Sequence, residues 1–362
     1  MRMNNIIRLG DYITEICEKT TANNQHMVLT SSQEGIVSQD DYFNKQVASK
    51  DNTGYKVIRR GQFTYRAKSD TGRFYINRLC DYDTGIVSPA YPVFELKKNE
   101  DILPDYLQEY FHSEQFQNSI ALSSTGSTRV SLKLSKIADL RIAVPSISDQ
   151  RHMIIAIQHV SNLISVQNSA LCKLDELVKS RFVEMFGKIK HEDSLENLCR
   201  FIDYRGKTPE KTDMGLPFIT AKNVRMHHMS FETQEFISKE TYDKVMTRGF
   251  PRVGDVVFTT EAPLGNVCRI PSIDTEFYIG QRIITMQTDS LEPAYLEYAL
   301  ASNEFRKKLD AKASGSTVTG IRSKLLEKLT IPVPPLELQN RFAAFVAEVD
   351  KSKLSYEMEV AA

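Results

Sequence analysis

With 362 residues the chain is long enough for two or more domains with separate cores, and 41% hydrophobic and 25% charged residues make an ordinary soluble globular composition. No run approaches the roughly 18 apolar residues of a membrane span, Met1 to Asn5 lacks the apolar core of a secretion signal, and the five cysteines (Cys17, Cys80, Cys172, Cys199, Cys268) include no CxxC pair, which argues against a zinc site or a disulfide framework and suits a reducing cytoplasm. A formal net charge of zero means that the protein as a whole is no obvious polyanion binder, although a global number can hide local patches.

The first globular part runs from Met1 to Val144. Ile6 to Cys17 reads as a strand and turn. Val28 to Thr30, Tyr55 to Ile58, Gln62 to Tyr65 and Phe74 to Ile76 read as short strands between turn residues, as do Gly85 to Ser88 and Tyr91 to Leu96. Asp105 to Leu122 is an amphipathic helix, and a Ser/Thr/Gly loop, Ser123 to Thr128, comes after it. Pro145 to Gly187 then runs with no Pro or Gly between Ser146 and Gly187. Positions stepping by fours and threes read Met153, Ile157, Val160, Ile164, Gln167, Leu171, Leu174, Val178, Arg181 and Met185. That is the seam of a coiled-coil helix about 60 Å long, and a helix with a single seam needs a partner. A second globular part, Lys188 to Val333, has strands near Pro217 to Thr220, Asp255 to Thr259 and Gln281 to Thr285, a helix over Pro293 to Ala313 and a loop at Ser314 to Thr317. Pro334 to Ala362 closes the chain as a shorter helix.

The second half repeats the first at a constant offset of 189 residues. Pro104-Asp105-Tyr106-Leu107 returns as Pro293-Ala294-Tyr295-Leu296, and Gly126-Ser127-Thr128 as Gly315-Ser316-Thr317. Leu140, Ile142, Val144 and Pro145 return as Leu329, Ile331, Val333 and Pro334, and Gln150 as Gln339. The seam continues as Phe342, Val346, Val349, Lys353, Tyr356 and Val360, so the partner of the middle helix is the chain's own C-terminal helix. The two copies barely match before about residue 100 of the first. Similar scaffolds thus carry different front surfaces, as suits two different half-targets.

Charge is uneven in the first part. Gly54 to Arg78 holds seven basic side chains (Lys56, Arg59, Arg60, Arg66, Lys68, Arg73, Arg78) against Asp70 alone, with Tyr65 among the interleaved aromatics. Such local charge is what phosphate neutralisation requires, and it is also an ordinary basic hairpin face. Arg200 to Arg225 is weaker, with six basic residues against three acids. Arg205, Lys207, Lys222 and Arg225, with Thr208 and Asn223 beside them, are its DNA-binding candidates. The Gly-Ser-Thr loops add Ser127, Thr128, Arg129, Ser316 and Thr317, whose hydroxyls and amides suit phosphate or base-edge contact and equally serve a plain helix-to-strand turn.

Catalytic motifs are missing: no P-loop, no GxGxxG, no HExxH and no amino-methyltransferase tetrapeptide, since Val333-Pro334-Pro335-Leu336 lacks the polar lead residue. Asp83 followed by Glu95-Leu96-Lys97 has nuclease-like spacing, but the second copy has no equivalent. His227-His228 has no partner at metal-ligand spacing and reads as a surface turn. Two rival readings stay open here: a magnesium-dependent DNA endonuclease using Asp83, Glu95 and Lys97, and a coiled-coil assembly protein without a DNA role.

The repeated Leu-x-Ile-x-Val-Pro strand ends, the glutamines after them, the long helix ending each copy and the Gly-Ser-Thr loop before each proline resemble the specificity subunits of type I restriction-modification systems. Gly206-Lys207-Thr208-Pro209 and Gly254-Asp255-Val256-Val257 are also similar to that family. The resemblance covers nearly the whole chain and implies a mixed α/β (α+β) fold with a pseudo-two-fold internal repeat. Residues 1–144 and 188–333 would be target recognition domains reading a bipartite DNA site, and residues 145–187 and 334–362 antiparallel coiled-coil spacer helices. The helix contacts would be Met153, Ile157, Val160, Ile164, Leu171, Leu174 and Val178 with Phe342, Val346, Val349 and Tyr356. The resemblance further implies a non-catalytic, cytoplasmic subunit of phage defence without cofactor or metal of its own. Two methyltransferase subunits would supply S-adenosylmethionine chemistry on adenine, and restriction subunits using ATP and Mg could join. The last helix ends about two heptads before the repeat would, which leaves Leu174, Val178 and Met185 without repeat counterparts. Weaker pairing, or cover by another subunit, is the expectation at that end.

Overall fold

The computed structural model describes residues 5–42, 51–121, 130–204, 206, 209–280, 282–315 and 318–361, and the chain divides into two compact units, Met1–Leu163 and Ile164–Ala362. The first opens with β1 (Asn5–Arg8), β2 (Ile13–Glu15), a hairpin of β3 (Leu29–Ser32) and β4 (Gly35–Ser38), and α1 (Gln39–Tyr42). Next come β5 (Lys56–Arg59), β6 (Phe63–Thr64), β7 (Lys68–Ser69), β8 (Asn77–Arg78), β9 (Thr84–Val87) and β10 (Val93–Leu96). After these stand α2 (Pro104–His112), α3 (Glu114–Ala121), β11 (Val130–Ser131), α4 (Leu134–Ala138), β12 (Arg141–Val144) and α5 (Ile147–Phe186), which runs on into the second unit.

The antiparallel sheet β2-β10-β6-β8 carries the first core. Phe63 and Phe94 stack at 5.3 Å on neighbouring strands, and Phe111 and Phe116 meet edge-on at 5.1 Å beneath them. All four are fully buried, and rings of this size contribute strongly to the unit's hydrophobic stabilisation. The repeated strand β12 pairs with β1, closing the ends of the globular part.

The second unit adds β13 (Glu192–Ser194), α6 (Leu195–Leu198), β14 (Arg200–Asp203), β15 (Leu216–Ile219), β16 (Val224–Arg225), β17 (His228–Met229), β18 (Phe236–Ile237) and α7 (Lys239–Val245). It continues with β19 (Val256–Thr259), β20 (Val267–Arg269), β21 (Tyr278–Ile279), β22 (Ile283–Gln287), α8 (Pro293–Ala301), α9 (Asn303–Asp310), α10 (Ser323–Leu326), β23 (Thr330–Pro332) and α11 (Leu336–Ala361). Its main sheet, β14-β22-β19-β20, has the same order as that of the first unit, and β13 pairs with β23 as β1 does with β12.

Three expectations need correction. The single helices expected over 105–122 and 293–313 are each two helices, broken at Ser113 and Ser302. Both serines are extended, and their hydroxyls cap the second helix of each pair: Phe116 N–H donates to Ser113 Oγ at 3.3 Å and Phe305 N–H to Ser302 Oγ at 3.2 Å. Phe74 to Ile76 is no strand. Its apolar alternation is real, since Phe74 and Ile76 are buried, but Gln117 takes the place of a strand partner, accepting from Phe74 N–H at 3.1 Å and donating to Phe74 O at 2.8 Å.

The third correction concerns the helix seam. Leu174 and Met185 pack into the second unit's core and Val178 is fully buried there, with Phe342, Val346 and Val349. Met153, Ile157, Val160 and Ile164 are instead 45%, 40%, 55% and 45% exposed, and Leu171 is half-buried. Phe342 meets Phe186 and Phe182 at 5.5 Å each, while Lys353 lies 2.5 Å from Asp175, so the helices run antiparallel. The start of α11 therefore covers the end of α5. Residues at equal places in the repeat are not residues in contact, which is why the expectation chose the wrong end. The side chain of Tyr356 lies outside the described residues.

Candidate nucleic-acid interface

The basic run of the first unit is largely spoken for. Arg59 makes a two-pronged bond to Glu18, Arg60 donates to Asp83 at 2.9 Å, Arg73 pairs with Glu114 and Arg78 with Asp105. Lys56 lies on β5 with its ammonium 3.9 Å from Glu15. Their carboxylate partners lie outside Gly54 to Arg78 or, for Asp83, just beyond its end, so counting charge in a window of sequence could not see the neutralisation. The hydrogen bonds that Arg59 and Arg73 donate to Glu18 and Glu114 hold their guanidinium pKa above the ordinary value. Tyr65 is a core residue with no exposure. Its hydroxyl donates to Leu132 O at 3.2 Å, burial raises its pKa, and it cannot serve DNA.

Arg66 and Lys68 remain. Both are exposed and form no ion pair among the described residues. They line a cleft of about 330 Å³ with Ser31, Ser32, Gln33 and Tyr75. Antiparallel pairing of β7 with β11 sets Lys68 opposite Ser131, just after the Gly-Ser-Thr loop, so two candidate features far apart in sequence lie side by side. Ser127, Thr128 and Arg129 themselves lie outside the described residues. The β3–β4 hairpin walls the cleft, but the hydroxyls of Ser31 and Ser32 are buried and bonded within the protein, to Tyr75 O at 2.9 Å and Gly35 O at 3.3 Å. The hairpin's signal was Ser31-Ser32-Gln33-Glu34-Gly35 between two apolar strands, a polar hairpin tip.

In the second unit Arg205, Lys207, Thr208, Ser316 and Thr317 lie outside the described residues. Asn223 is 4% exposed and structural: Oδ1 accepts from Thr220 N–H at 2.9 Å, and Nδ2 donates to Thr233 O at 2.8 Å and Ser230 O at 3.0 Å. It closes a loop and is withdrawn as a DNA contact, because a buried amide with its bonds filled has nothing to offer a base. Lys222 and Lys211 flank Glu235 at 3.6 and 2.8 Å. Arg225, on β16, is exposed and without an ion pair among the described residues. The loop after β19 presents Glu261, paired at 3.0 Å with Arg282 just before β22.

The repeated glutamines are clamps. Gln150 accepts from Leu103 N–H at 2.9 Å and donates to Asp101 O and Pro145 O. Gln339 accepts from Glu292 N–H at 2.9 Å and donates to Pro334 O at 2.8 Å. Each fastens the start of a long helix to the turn before the α2 or α8 helix. A chain of charges holds the second globular part to its helices. Glu297, 1% exposed, accepts from Arg269 at 2.6 Å; Arg269 reaches Asp350 at 3.3 Å, and Lys353 lies between Asp350 and Asp175. Burial opposes the charge of Arg269, but Glu297 and Asp350 outweigh it and raise its pKa. His227 sits in the turn between β16 and β17, as expected, but its side chain joins this network: Nδ1 lies 2.8 Å from Glu297 and the ring stacks on Tyr298 at 4.2 Å.

The side chains of the nuclease-like set are each engaged with other partners. Asp83 holds Arg60, Glu95 accepts from Gln62 at 3.2 Å, and Lys97 donates to Asp11 O at 2.8 Å. Among the described residues no three His, Cys, Asp or Glu side chains converge as a metal site, and no helix is long and apolar enough to cross a membrane.

Residues 194–359 match the family model described as the type I restriction modification DNA specificity domain. The chain is 22% identical to the type I restriction enzyme MjaVIII specificity subunit of Methanocaldococcus jannaschii, over 95% of this chain and 85% of that one. Among solved structures, it is similar to a chain from a study of complex assembly and conformational transition of the type I R-M system (TM-score 0.57, 20% identity, 100% of this chain and 93% of that one). It is also similar to the type I restriction-modification S subunit from M. genitalium (TM-score 0.56, 12% identity, 99% and 93%). At these identities the structural likeness is one of fold.

Proposed function

We propose that this chain, a specificity subunit of the type I restriction-modification family, reads a bipartite DNA sequence with one half assigned to each unit. It is the non-catalytic member of such a system: it selects the sequence and carries the methyltransferase to it. Residues 1–144 and 188–333 act as the two target recognition domains, and residues 145–187 and 334–362 as spacer helices. Two methyltransferase subunits dock on this scaffold and bring S-adenosylmethionine, and restriction subunits using ATP and Mg complete the cytoplasmic defence complex. Neither rival reading gains support. The side chains of the nuclease set are taken by other partners, and Arg66 and Arg225 stand exposed on the globular parts of the two units without ion pairs among the described residues, as phosphate contact requires.

One observation carries the reading: two units with the same sheet order, the same serine-broken helix pair and the same glutamine clamp present different exposed loops. Shared scaffold with divergent faces is what reading two half-sites demands. Arg66 and Arg225, exposed and unpaired among the described residues, are assigned to phosphate. Fluorescence anisotropy on the complex with methyltransferase tests this. Arg66→Ala and Arg225→Ala should each weaken binding to every sequence alike and reduce the slope of log K against log salt by about one. Binding and slope unchanged in both variants would remove the assignment.

A further inference from the structure

The shared strand order lets the loops of the two units be compared place by place. After β6, Lys68 lies opposite Ser131; after β19, Glu261 lies opposite Gly320. Ser131 and Gly320 are separated by the 189 residues of the repeat, so Lys68 and Glu261 occupy the same place. A second pair corresponds in the same way. Val93 pairs with Thr64 and Ile283 with Thr259, which makes Pro92 and Arg282 equivalent as the residues before β10 and β22. Both carbonyls accept from a threonine hydroxyl, though not from equivalent ones: Thr64 Oγ1 donates to Pro92 O at 2.8 Å, and Thr260, one residue beyond the Thr64 counterpart Thr259, donates to Arg282 O at 3.2 Å.

The strand pairing agrees while the side-chain chemistry is inverted. In the first unit the place holds an exposed ammonium, Lys68, beside Arg66, and Pro92 offers no polar side chain. In the second it holds a carboxylate, Glu261, beside Arg282, with side chains 42% and 53% exposed. Arg282 adopts φ +69, a left-handed conformation that a long side chain takes only at a cost and that clusters at functional sites. Thr260 N–H fixes it there by donating to Arg282 O at 2.7 Å. A carboxylate repels phosphate, so a Glu–Arg pair where the first unit puts a cationic cleft is suited to base edges rather than to backbone anchoring.

We propose that Lys68 and the Glu261–Arg282 pair are specificity-determining contacts that make the two half-sites different. The inference rests on the DNA-reading function above and deepens it. Lys68 only donates, so it selects base-edge acceptors, guanine O6 and N7 or thymine O4. Glu261 only accepts, so it selects the exocyclic amino group of cytosine or adenine, while Arg282 offers its fork to an adjacent guanine.

The test uses the complex of the full chain with its cognate methyltransferase in a host free of adenine methylation, with single-molecule sequencing of the modified motif. Wild type is compared with Lys68→Met, Glu261→Gln and Arg282→Gly. Arg282→Gly releases the left-handed strain, so it keeps the fold even if Glu261→Gln weakens it. Lys68→Met should relax base choice in one half-site. Glu261→Gln and Arg282→Gly should relax it only in the other, with discrimination falling about tenfold or more at the affected position. A wild-type bipartite motif that all three variants leave unchanged, or relaxation of the same half-site by all three, overturns this inference alone. A wild type that modifies no bipartite motif overturns it together with the functional reading.

Discussion

Gln150 and Gln339 share two bonds at equivalent places in the two copies, and their role is energetic. Gln339→Leu would leave the Glu292 N–H facing an apolar group at a site where the glutamine is 1% exposed. The expected loss is about 1 to 3 kcal/mol in denaturant unfolding, with the salt dependence of DNA binding untouched. Glu192 gives a pH-dependent counterpart. Hydrogen bonds from Lys308 and Thr330 hold its pKa below the usual carboxylate value. A lowered folded pKa stabilises above the unfolded value, about 4.3, and that contribution disappears as pH falls through the folded one. Glu192→Gln should therefore unfold at lower denaturant than wild type at pH 7, and the difference should disappear as pH falls below the folded pKa. At this scale the sequence was only partly readable. Arg66, Lys68 and Arg225 stand exposed as expected. Tyr65 and Asn223 are buried and most of the arginines, though exposed, are paired with carboxylates, because burial and ion pairing depend on Leu132, Ser230, Glu18 and Glu114, which the fold brings in from a distance.

Among the elements, the long helices were the most legible, because α5 runs forty residues on a seven-residue repeat that propensity and pattern both support. The partner was legible too, from the constant offset. The end that pairs was not, since antiparallel contact joins the start of one copy to the end of the other. The short strands that were read lie within a residue or two of those found, except where Gln117 replaced a strand, but others such as β4, β14 and β20 were not read, and serine hydroxyls cut each expected helix into two. The exposed stretch of α5 offers a clean perturbation. Removing one heptad, residues 157–163, spares the buried seam from Leu174 onward and turns the helix by only about 20°. It shortens α5 by about 10 Å, and the unspecified gap between half-sites should shrink by about three base pairs in motif sequencing. An unchanged gap would show that α5 is not the spacer.

At the scale of the molecule, duplication is the organising fact. Both units fold on one plan, and the equivalent loop places carry Lys68 in one and Glu261 in the other. Zero net charge is compatible with this plan because phosphate affinity needs only a few unpaired cations on the reading faces, and the rest are neutralised locally. What the sequence could not reveal was that local neutralisation, nor the meeting of the basic run with the segment just after the Gly-Ser-Thr loop. The most direct measurement is single-molecule sequencing of genomic DNA from a methylation-free host expressing this chain with its cognate methyltransferase. The account predicts one motif of two specified parts separated by unspecified bases, with a modified adenine in each part and none when this chain is omitted. A continuous motif, or the same modification without this chain, would contradict it.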